Sequence, residues 1–209
     1  MRSTLLAALS LGAVLLTGCD DDGDVIVAPD RPRASVRFIN AVPDTVVSDW
    51  RFIDQIVDSP YEVGFAFRAM TDYQGAAPGT RPFRVFPGTD NSSTQNALIA
   101  QDVTIAANTN YSFIHTGFSK VGQTPADQLL VVTETVPTVA ATDVAVRAMH
   151  LGAGMPDVNI YVTHNTGTTV PTTSNASWLD VTYGETTPYV HITKVGSTGP
   201  VPLAATPSG

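Results

Sequence analysis

From residue 34 onward, apolar and polar residues alternate with a period close to two, and the apolar positions are rich in β-branched and aromatic side chains. This pattern is typical of strands with one buried face, and helical periodicity is almost absent. Pro, Gly, Asn and Asp interrupt it every few residues, as expected of strands joined by turns. The pattern predicts seven or eight strands before residue 137, the number typical of a β-sandwich, with segments at 35–41, 46–56, 62–69, 81–86, 98–105, 110–117 and 129–136.

The cleanest alternation lies in residues 62–69. Val63, Phe65 and Phe67 fall on one face of an extended chain, and Gly64, Ala66 and Arg68 fall on the other. Because successive side chains of a strand point to opposite faces, the first three are predicted to face the core of a half-buried antiparallel strand.

Features of this first part recur about 110 residues later. Val36-Arg37 is followed by Pro43-Asp44, and Val146-Arg147 is followed by Pro156-Asp157. Arg37 and Arg147 take the same place in the two copies and are expected to make the same structural contact twice. The later segment 183–190 continues the second copy, with a tyrosine of this segment matched to Tyr73. The repetition predicts tandem β-units, a first domain at 34–136, a linker at 137–143 and a second unit at 144–209.

These motifs resemble a bacterial envelope family known only as domain of unknown function 4397. The matching pieces are 36–44, 77–85 and 105–117 in the first unit, and 146–162 and 183–189 in the second. The resemblance implies immunoglobulin-like sandwiches with a role at the cell surface, and it implies no catalytic residues. The second unit lacks the strands that correspond to 98–136, so it is either truncated or completed at its exposed edge by something else.

The first eighteen residues have the features of a lipoprotein signal peptide. Arg2 precedes an apolar stretch at 5–16, which is too short to cross a membrane as a helix. Leu16, Thr17 and Gly18 form the cleavage motif before Cys19, since small residues let a peptidase approach the backbone. The Cys19 thiol is then the predicted attachment site for a diacylglyceryl group. The alternative is an ordinary signal peptide that happens to contain Cys.

The cysteine count agrees with lipid attachment at Cys19. It is the single cysteine of the 209 residues, so no internal disulfide can form, and lipidation explains a thiol that would otherwise be unpaired in an exported protein. Residues 19–33 then form a predicted acidic, flexible tether. The run Asp20-Asp21-Asp22-Gly23-Asp24 lacks the ligand spacing of an EF-hand and is expected to be solvated.

Composition excludes several classes of protein. The chain is 43% hydrophobic and only 14% charged, which is typical of a folded chain and not of a disordered one. Its formal net charge is −8, and Lys120 and Lys194 are the only lysines, so a nucleic acid partner is not expected.

Candidate chemical groups do not form a recognisable catalytic or metal-binding motif. The chain has no G-x-S-x-G, S-x-x-K or H-E-x-x-H motif. The four histidines lack ligand spacing, although His150 and His191 could meet across a sheet. The aspartates near residue 50 are interpreted as solvated turn residues in preference to a calcium site. No enzyme, metal or cofactor is therefore predicted from His115, His150, His164, His191, Asp44, Asp49, Asp54 or Asp58.

The sequence thus predicts an all-β protein of two tandem immunoglobulin-like antiparallel sandwich units, the second incomplete, after a signal peptide and a tether. Its expected function is a non-catalytic structural or binding role, anchored by lipid to a membrane of the bacterial cell envelope, with a protein or polysaccharide partner. The alternative is a carbohydrate-binding or adhesion module. That alternative needs a platform of exposed aromatic residues, for which the candidates are Trp50, Tyr61, Tyr73, Trp178, Tyr183 and Tyr189; a position in the core is the competing interpretation.

Overall fold

A computed structural model describes residues 31–45, 47–54, 59–88, 96–162, 177–193 and 201–202. The chain divides into two compact units, 1–31 and 32–209, and the described strands belong to the second unit. No described residue belongs to a helix that is long and apolar enough to cross a membrane. The described strands are β1 (Ala34–Ala41), β2 (Val47–Phe52), β3 (Tyr61–Ala66), β4 (Gln74–Ala76), β5 (Gly79–Pro87), β6 (Ile99–Ile105), β7 (Asn110–Thr116), β8 (Gln128–Glu134), β9 (Asp143–Val146), β10 (Val158–Ile160), β11 (Trp178–Val181), β12 (Val190–Thr193) and β13 (Val201–Pro202).

The first eight strands form two four-stranded sheets, which confirms the predicted all-β fold class. One sheet has the order β4-β1-β7-β8 and the other has the order β3-β2-β5-β6. Neighbouring strands are antiparallel except β1 and β7, which run parallel from Ser35 opposite Asn110 to Ala41 opposite Thr116. The predicted linker, 137–143, follows β8 and ends at the first residue of β9.

The core of these sheets is aromatic. Trp50, Phe38, Phe83 and Phe113 are completely buried, and the ring centroids of Phe83 and Phe113 lie 5.0 Å apart at an interplanar angle of 84°. Edge-to-face packing of this kind adds to the stabilisation from burying apolar surface. Alternating inward side chains from both sheets therefore build one close-packed layer.

The predicted burial of residues 62–69 is wrong for two of its three residues. Phe65 is buried, but Val63 is 62% exposed and Phe67 is 42% exposed. Gly64 has a φ of 65°, and the pairing of β2 with β3 shifts there, since Ser48 is opposite Phe65 while Trp50 is opposite Glu62. A bulge of this kind interrupts the two-residue alternation, because it adds a residue to one strand, and it therefore puts Val63 out of phase with Phe65. Phe67 lies beyond the end of β3.

The C-terminal half forms two smaller sheets, β13-β12-β9 and β10-β11. Trp178, Val181 and Val190 are its buried apolar residues. Partly buried apolar residues from β9, from β10 and from the segments just after each strand pack against them, and these are Val146, Ala148, Val158, Ile160 and Val162. Among the described residues, the core of the second half is therefore smaller and less enclosed than that of the first.

Candidate functional site

A carboxylate lies buried between the two halves of the chain. Glu134 is the last residue of β8, and its side chain is only 2% exposed. A buried carboxylate is costly unless cations and hydrogen-bond donors surround it. We therefore treat Glu134 and its partners as the candidate functional site.

Two arginines and a serine hold the Glu134 carboxylate. Arg37 Nη2 lies 3.1 Å from Oε1, and Arg147 Nη2 donates to Oε2. Ser112 Oγ also donates to Oε1, at 2.5 Å. Each carboxylate oxygen thus accepts a hydrogen bond from a cation, and Ser112 and Arg37 are further linked by an Nε–Oγ hydrogen bond of 2.7 Å.

Each arginine also lies over a tyrosine ring. Arg37 Cζ is 5.0 Å from the centroid of Tyr73, and Arg147 Cζ is 5.0 Å from the centroid of Tyr189. Tyr189 Oη donates to Glu134 Oε2 over 3.4 Å. The guanidinium groups are therefore positioned by cation–π contact as well as by the carboxylate. Arg37 and Arg147 thus make the same contact with a tyrosine ring, as predicted.

Electrostatics favours the ionised form of Glu134. Burial alone would raise the pKa of Glu134, but the Ser112 hydrogen bond, the charge and hydrogen bond of Arg147 and the charge of Arg37 together lower it below its ordinary value. The pKa of Tyr189 is raised, because burial and the neighbouring Glu134 charge both disfavour the phenolate. The site therefore holds a carboxylate anion and a neutral phenol.

A second polar contact joins the halves at the other end of β7. Thr116 Oγ1 lies 3.0 Å from Tyr183 Oη and 3.4 Å from the carbonyl oxygen of Leu151. From Tyr111 to Thr116 every residue of β7 is buried, so both faces of this strand are covered. The C-terminal half therefore packs on the outer face of the β4-β1-β7-β8 sheet.

Hydrogen bonds recur at matched positions in the two halves. The amide N–H groups of Asn40 and His150, 110 residues apart, donate to the carbonyls of Ala69 and Glu185, 116 residues apart. The same offsets relate further bonds: Phe38 N to Thr71 Oγ1 and Ala148 N to Thr187 Oγ1; Gly64 N to Asp49 Oδ1 and Asp180 N to Asn159 Oδ1; Val42 N to Asn40 Oδ1 and Gly152 N to His150 Nδ1. Positive φ values recur as well, at Gly64 and Asp180 and at Arg68 and Gly184.

His115 is a buried imidazole beside the aromatic core. Its Nε2 lies 3.1 Å from Asp127 Oδ2, and its Nδ1 has no hydrogen-bond partner among the described residues. The Asp127 carboxylate also accepts from Ser119 Oγ at 3.1 Å. Burial lowers the pKa of His115 below its ordinary value, despite the opposing charges of Asp127 and Asp44. A second ring proton would stand at Nδ1 without an acceptor, so the neutral form is favoured.

We expect stability to fall as the pH is lowered through the ordinary imidazole pKa of 6.5. Below that pH the unfolded chain binds a proton at His115, whereas the folded chain does not until its lower pKa is reached. Free energies of unfolding measured between pH 7.5 and 5 should show this slope in the wild type and a smaller slope in His115→Gln. Equal slopes in wild type and His115→Gln would contradict the assignment.

The remaining histidines have structural contacts. His150 Nε2 is 3.1 Å from the carbonyl oxygen of Pro156, and His191 Nδ1 is 3.9 Å from Asp143 Oδ2. His150 and His191 are not opposite each other in a sheet, since His191 is opposite Ala145 in β9. His164 lies outside the described residues, and no group of three or more His, Cys, Asp or Glu in the described part could hold a metal ion.

The aspartates near residue 50 are separated by their partners. Asp44 accepts from the backbone N–H groups of Ser119 and Lys120, and these bonds lower its pKa although burial opposes them. Asp54 pairs with Arg81, whose hydrogen bond lowers the Asp54 pKa. Asp49, interpreted from the sequence as a solvated turn residue, is instead buried in β2, where Oδ1 accepts from the Gly64 amide. Asp58 lies outside the described residues.

The six candidate aromatic residues lie in different environments. Trp50 and Trp178 are buried in the two cores. Tyr183 and Tyr189 make the contacts between the halves described above, and Tyr73 lies against Arg37. Tyr61 is 64% exposed on β3. The sequence interpretation as core residues therefore holds for the tryptophans, and the tyrosines serve interfaces or the surface.

The predicted lipid site, Cys19, and its cleavage motif lie outside the described residues. Sequence reasoning did not single out Glu134, Ser112 or Thr116. The one sequence feature that could have identified them is a polar residue within a predicted strand, and this feature is too common to indicate a site. The partners of Glu134 reach it from 97 residues before, at Arg37, and from 55 residues after, at Tyr189.

Comparison with known proteins gives one family. Residues 34–161, more than half of the chain, match a family model described as Domain of unknown function (DUF4397). The match begins at β1 and ends just after β10, so it extends past Glu134 to Arg147 and the first strands of the C-terminal half. No curated protein matches the chain.

Proposed function

We propose that this chain, which belongs to the DUF4397 family, is a lipid-anchored protein of the bacterial cell envelope. We propose that it has a binding or scaffolding role and no catalytic activity. The observation that carries this proposal is Leu16-Thr17-Gly18-Cys19 after an apolar stretch, in a chain with a single cysteine. Two or three acyl chains at Cys19 hold a domain on a membrane, because each buried CH₂ contributes about 0.8 kcal/mol.

The geometry of the described residues supports a non-catalytic role. Glu134 is fully occupied by Arg37, Arg147 and Ser112, so it has no exposed face for a substrate. His115 is completely buried behind the aromatic core. A general acid or base must reach its substrate within hydrogen-bond distance. The Glu134 carboxylate is used by its arginine and serine partners, and the His115 ring contacts Asp127.

The structural part of the proposal is that the two halves of the chain are copies of one β-unit. The matched hydrogen bonds, the matched φ values and the two Arg–Tyr pairs support a common origin of the halves. In this arrangement β9, β10, β11 and β12 correspond to β1, β2, β3 and β4. The tandem immunoglobulin-like organisation then places the second copy on the outer sheet of the first, joined at Glu134.

Expression of the full chain in a bacterium with radiolabelled palmitate tests the anchor. We expect the wild type to carry the label and to sediment with membranes, whereas Cys19→Ala should carry no label and stay in the soluble fraction. Ser10→Ala, in the same leader, is the matched control and should behave as the wild type. An unlabelled, soluble wild type would overturn the anchored function, and label in Cys19→Ala would place the lipid elsewhere.

A further inference from the structure

In the described part of the chain, the core of the C-terminal half is open where that of the N-terminal half is closed. Val36 and Phe38 in β1, and Trp50 and Phe52 in β2, are at most 2% exposed. The residues 110 positions later are only partly buried, and they are Val146, Ala148, Ile160 and Val162. In the first half β5 to β8 complete the two sheets over these positions, and no described strand of the second half takes their places.

The open core adjoins a free strand edge. β1 lies between β4 and β7, whereas β9, its counterpart, pairs only with β12 in the described part of the chain. Ala148 and His150 direct their backbone groups toward the segment that leads into β12: the Ala148 carbonyl accepts from Thr187 N, and His150 N donates to the Glu185 carbonyl. In an extended chain the backbone groups of Ala145, Arg147 and Met149 therefore point away from β12.

The first half shows what the fold places at this edge. Along β1 the odd-numbered residues face the parallel strand β7, beginning with the bond from Ser35 N to the carbonyl oxygen of Thr109. Strand β7 contributes Tyr111 and Phe113 to the core on the inner face. A strand with apolar residues at alternate positions would therefore both complete the ladder and cover the partly buried side chains.

The edge is continuous with the contact between the halves. The carbonyl of Leu151, which follows the free groups in sequence, accepts a hydrogen bond from Thr116. Arg147, in the middle of the edge, is held by Glu134. Both ends of the segment from β9 to Leu151 are thus fixed, since β12 pairs with β9 and the first half of the chain contacts Arg147 and Leu151.

We propose that the C-terminal half is a strand acceptor: an extended segment of a partner protein, with the alternating pattern of β7, adds to β9 in parallel and covers the core formed by Val146, Ala148, Ile160 and Val162. This inference deepens the proposed binding role and rests on the correspondence of the two halves. It does not depend on lipid attachment, so it can be tested on the unlipidated full chain.

The test uses the full chain carrying Cys19→Ala and a labelled synthetic peptide with the sequence of residues 108–117, NTNYSFIHTG. We expect saturable binding by fluorescence anisotropy. A peptide in which the positions of Tyr111 and Phe113 carry lysine should bind at least tenfold more weakly, because it cannot cover the core. Tyr61→Ala, on the edge strand β3, is the control for unspecific binding and should leave the affinity unchanged.

Two further measurements locate the peptide. Ala145→Pro removes an N–H that points to the free edge and not to β12, so we expect a native circular dichroism spectrum with at least tenfold weaker binding. Hydrogen exchange needs no variant: the amides of Ala145, Arg147 and Met149 should become protected when peptide is added to the unaltered site.

Three outcomes would overturn the proposal. Absence of binding would do so, as would binding without protection of these three amides. The third outcome is that no peptide binds, the chain dimerises as its concentration rises, and Ala145→Pro abolishes this dimerisation. A second copy of the chain, and not a partner protein, would then occupy the edge of β9. A failure of palmitate labelling leaves this result untouched, so the two proposals fail separately.

Discussion

Glu134→Gln should lower the free energy of unfolding by about 3–5 kcal/mol, because it leaves Arg37 and Arg147 near each other without the carboxylate that compensates them. Urea denaturation at pH 7 measures this loss. The difference between wild type and variant should shrink as the pH falls below 4.5, the ordinary value for a glutamate. The pKa of Glu134 is lower in the folded state, so its stabilisation is present above that pH and is lost as the folded pKa is passed.

Asp102→Asn is the matched control for Glu134→Gln. Asp102 also pairs with an arginine, with Oδ1 at 3.4 Å from Arg84 Nη1, but its side chain is 65% exposed. Exposed pairs contribute about 0–1 kcal/mol, so this variant should change stability little. Equal effects of the two substitutions would show that Glu134 does not join the halves.

Trp50→Ala should destabilise the protein by about 3–5 kcal/mol, the usual range for removing a large aromatic side chain from a core. Trp50 is completely buried, its ring centroid lies 5.3 Å from that of Phe65, and its Nε1 donates to Ser48 Oγ at 2.7 Å. The substitution removes these contacts and leaves a cavity between the two sheets. Thermal and urea unfolding of this variant should be followed in both halves of the chain. Matching unfolding midpoints for the two halves would show that the damage spreads through the whole unit.

Tyr61→Ala provides the comparison for Trp50→Ala. Tyr61 is an aromatic residue of the neighbouring strand β3, but it is 64% exposed. Exposed positions of this kind usually change stability by less than about 0.5 kcal/mol. A loss for Trp50→Ala no larger than that for Tyr61→Ala would contradict the assignment of the core.

The alternation of apolar residues located most strands of the first half, because it reports directly which face of a strand is buried. Residues 110–117 were predicted and β7 is Asn110–Thr116; residues 98–105 were predicted and β6 is Ile99–Ile105. Strand β4 has only three residues, Gln74–Ala76, too few for a period of two to be visible. Gly64 shows a second limit of prediction from alternation. A bulge reverses which side chains are buried, and the amino-acid composition gives no strong signal of it.

The candidate site was largely beyond sequence reasoning. The recurrence of Val-Arg at residues 36 and 146 predicts that Arg37 and Arg147 make the same contact twice, and each lies 5.0 Å from the centroid of a tyrosine ring. Their common partner, Glu134, belongs to neither motif, and the pairing depends on how the second half packs on β7 and β8. The burial of Asp49 likewise depends on tertiary neighbours that local turn chemistry does not reveal.

The measurement that tests the proposed anchoring most directly is the intact mass of the protein extracted from membranes, compared with that of Cys19→Ala. We expect a chain that starts at Cys19 and carries one diacylglyceryl group and one further acyl group, and we expect these masses to be absent from the variant. A wild-type chain with an unmodified Cys19, or one cleaved at another residue, would contradict lipid attachment and leave a secreted binding protein as the better account.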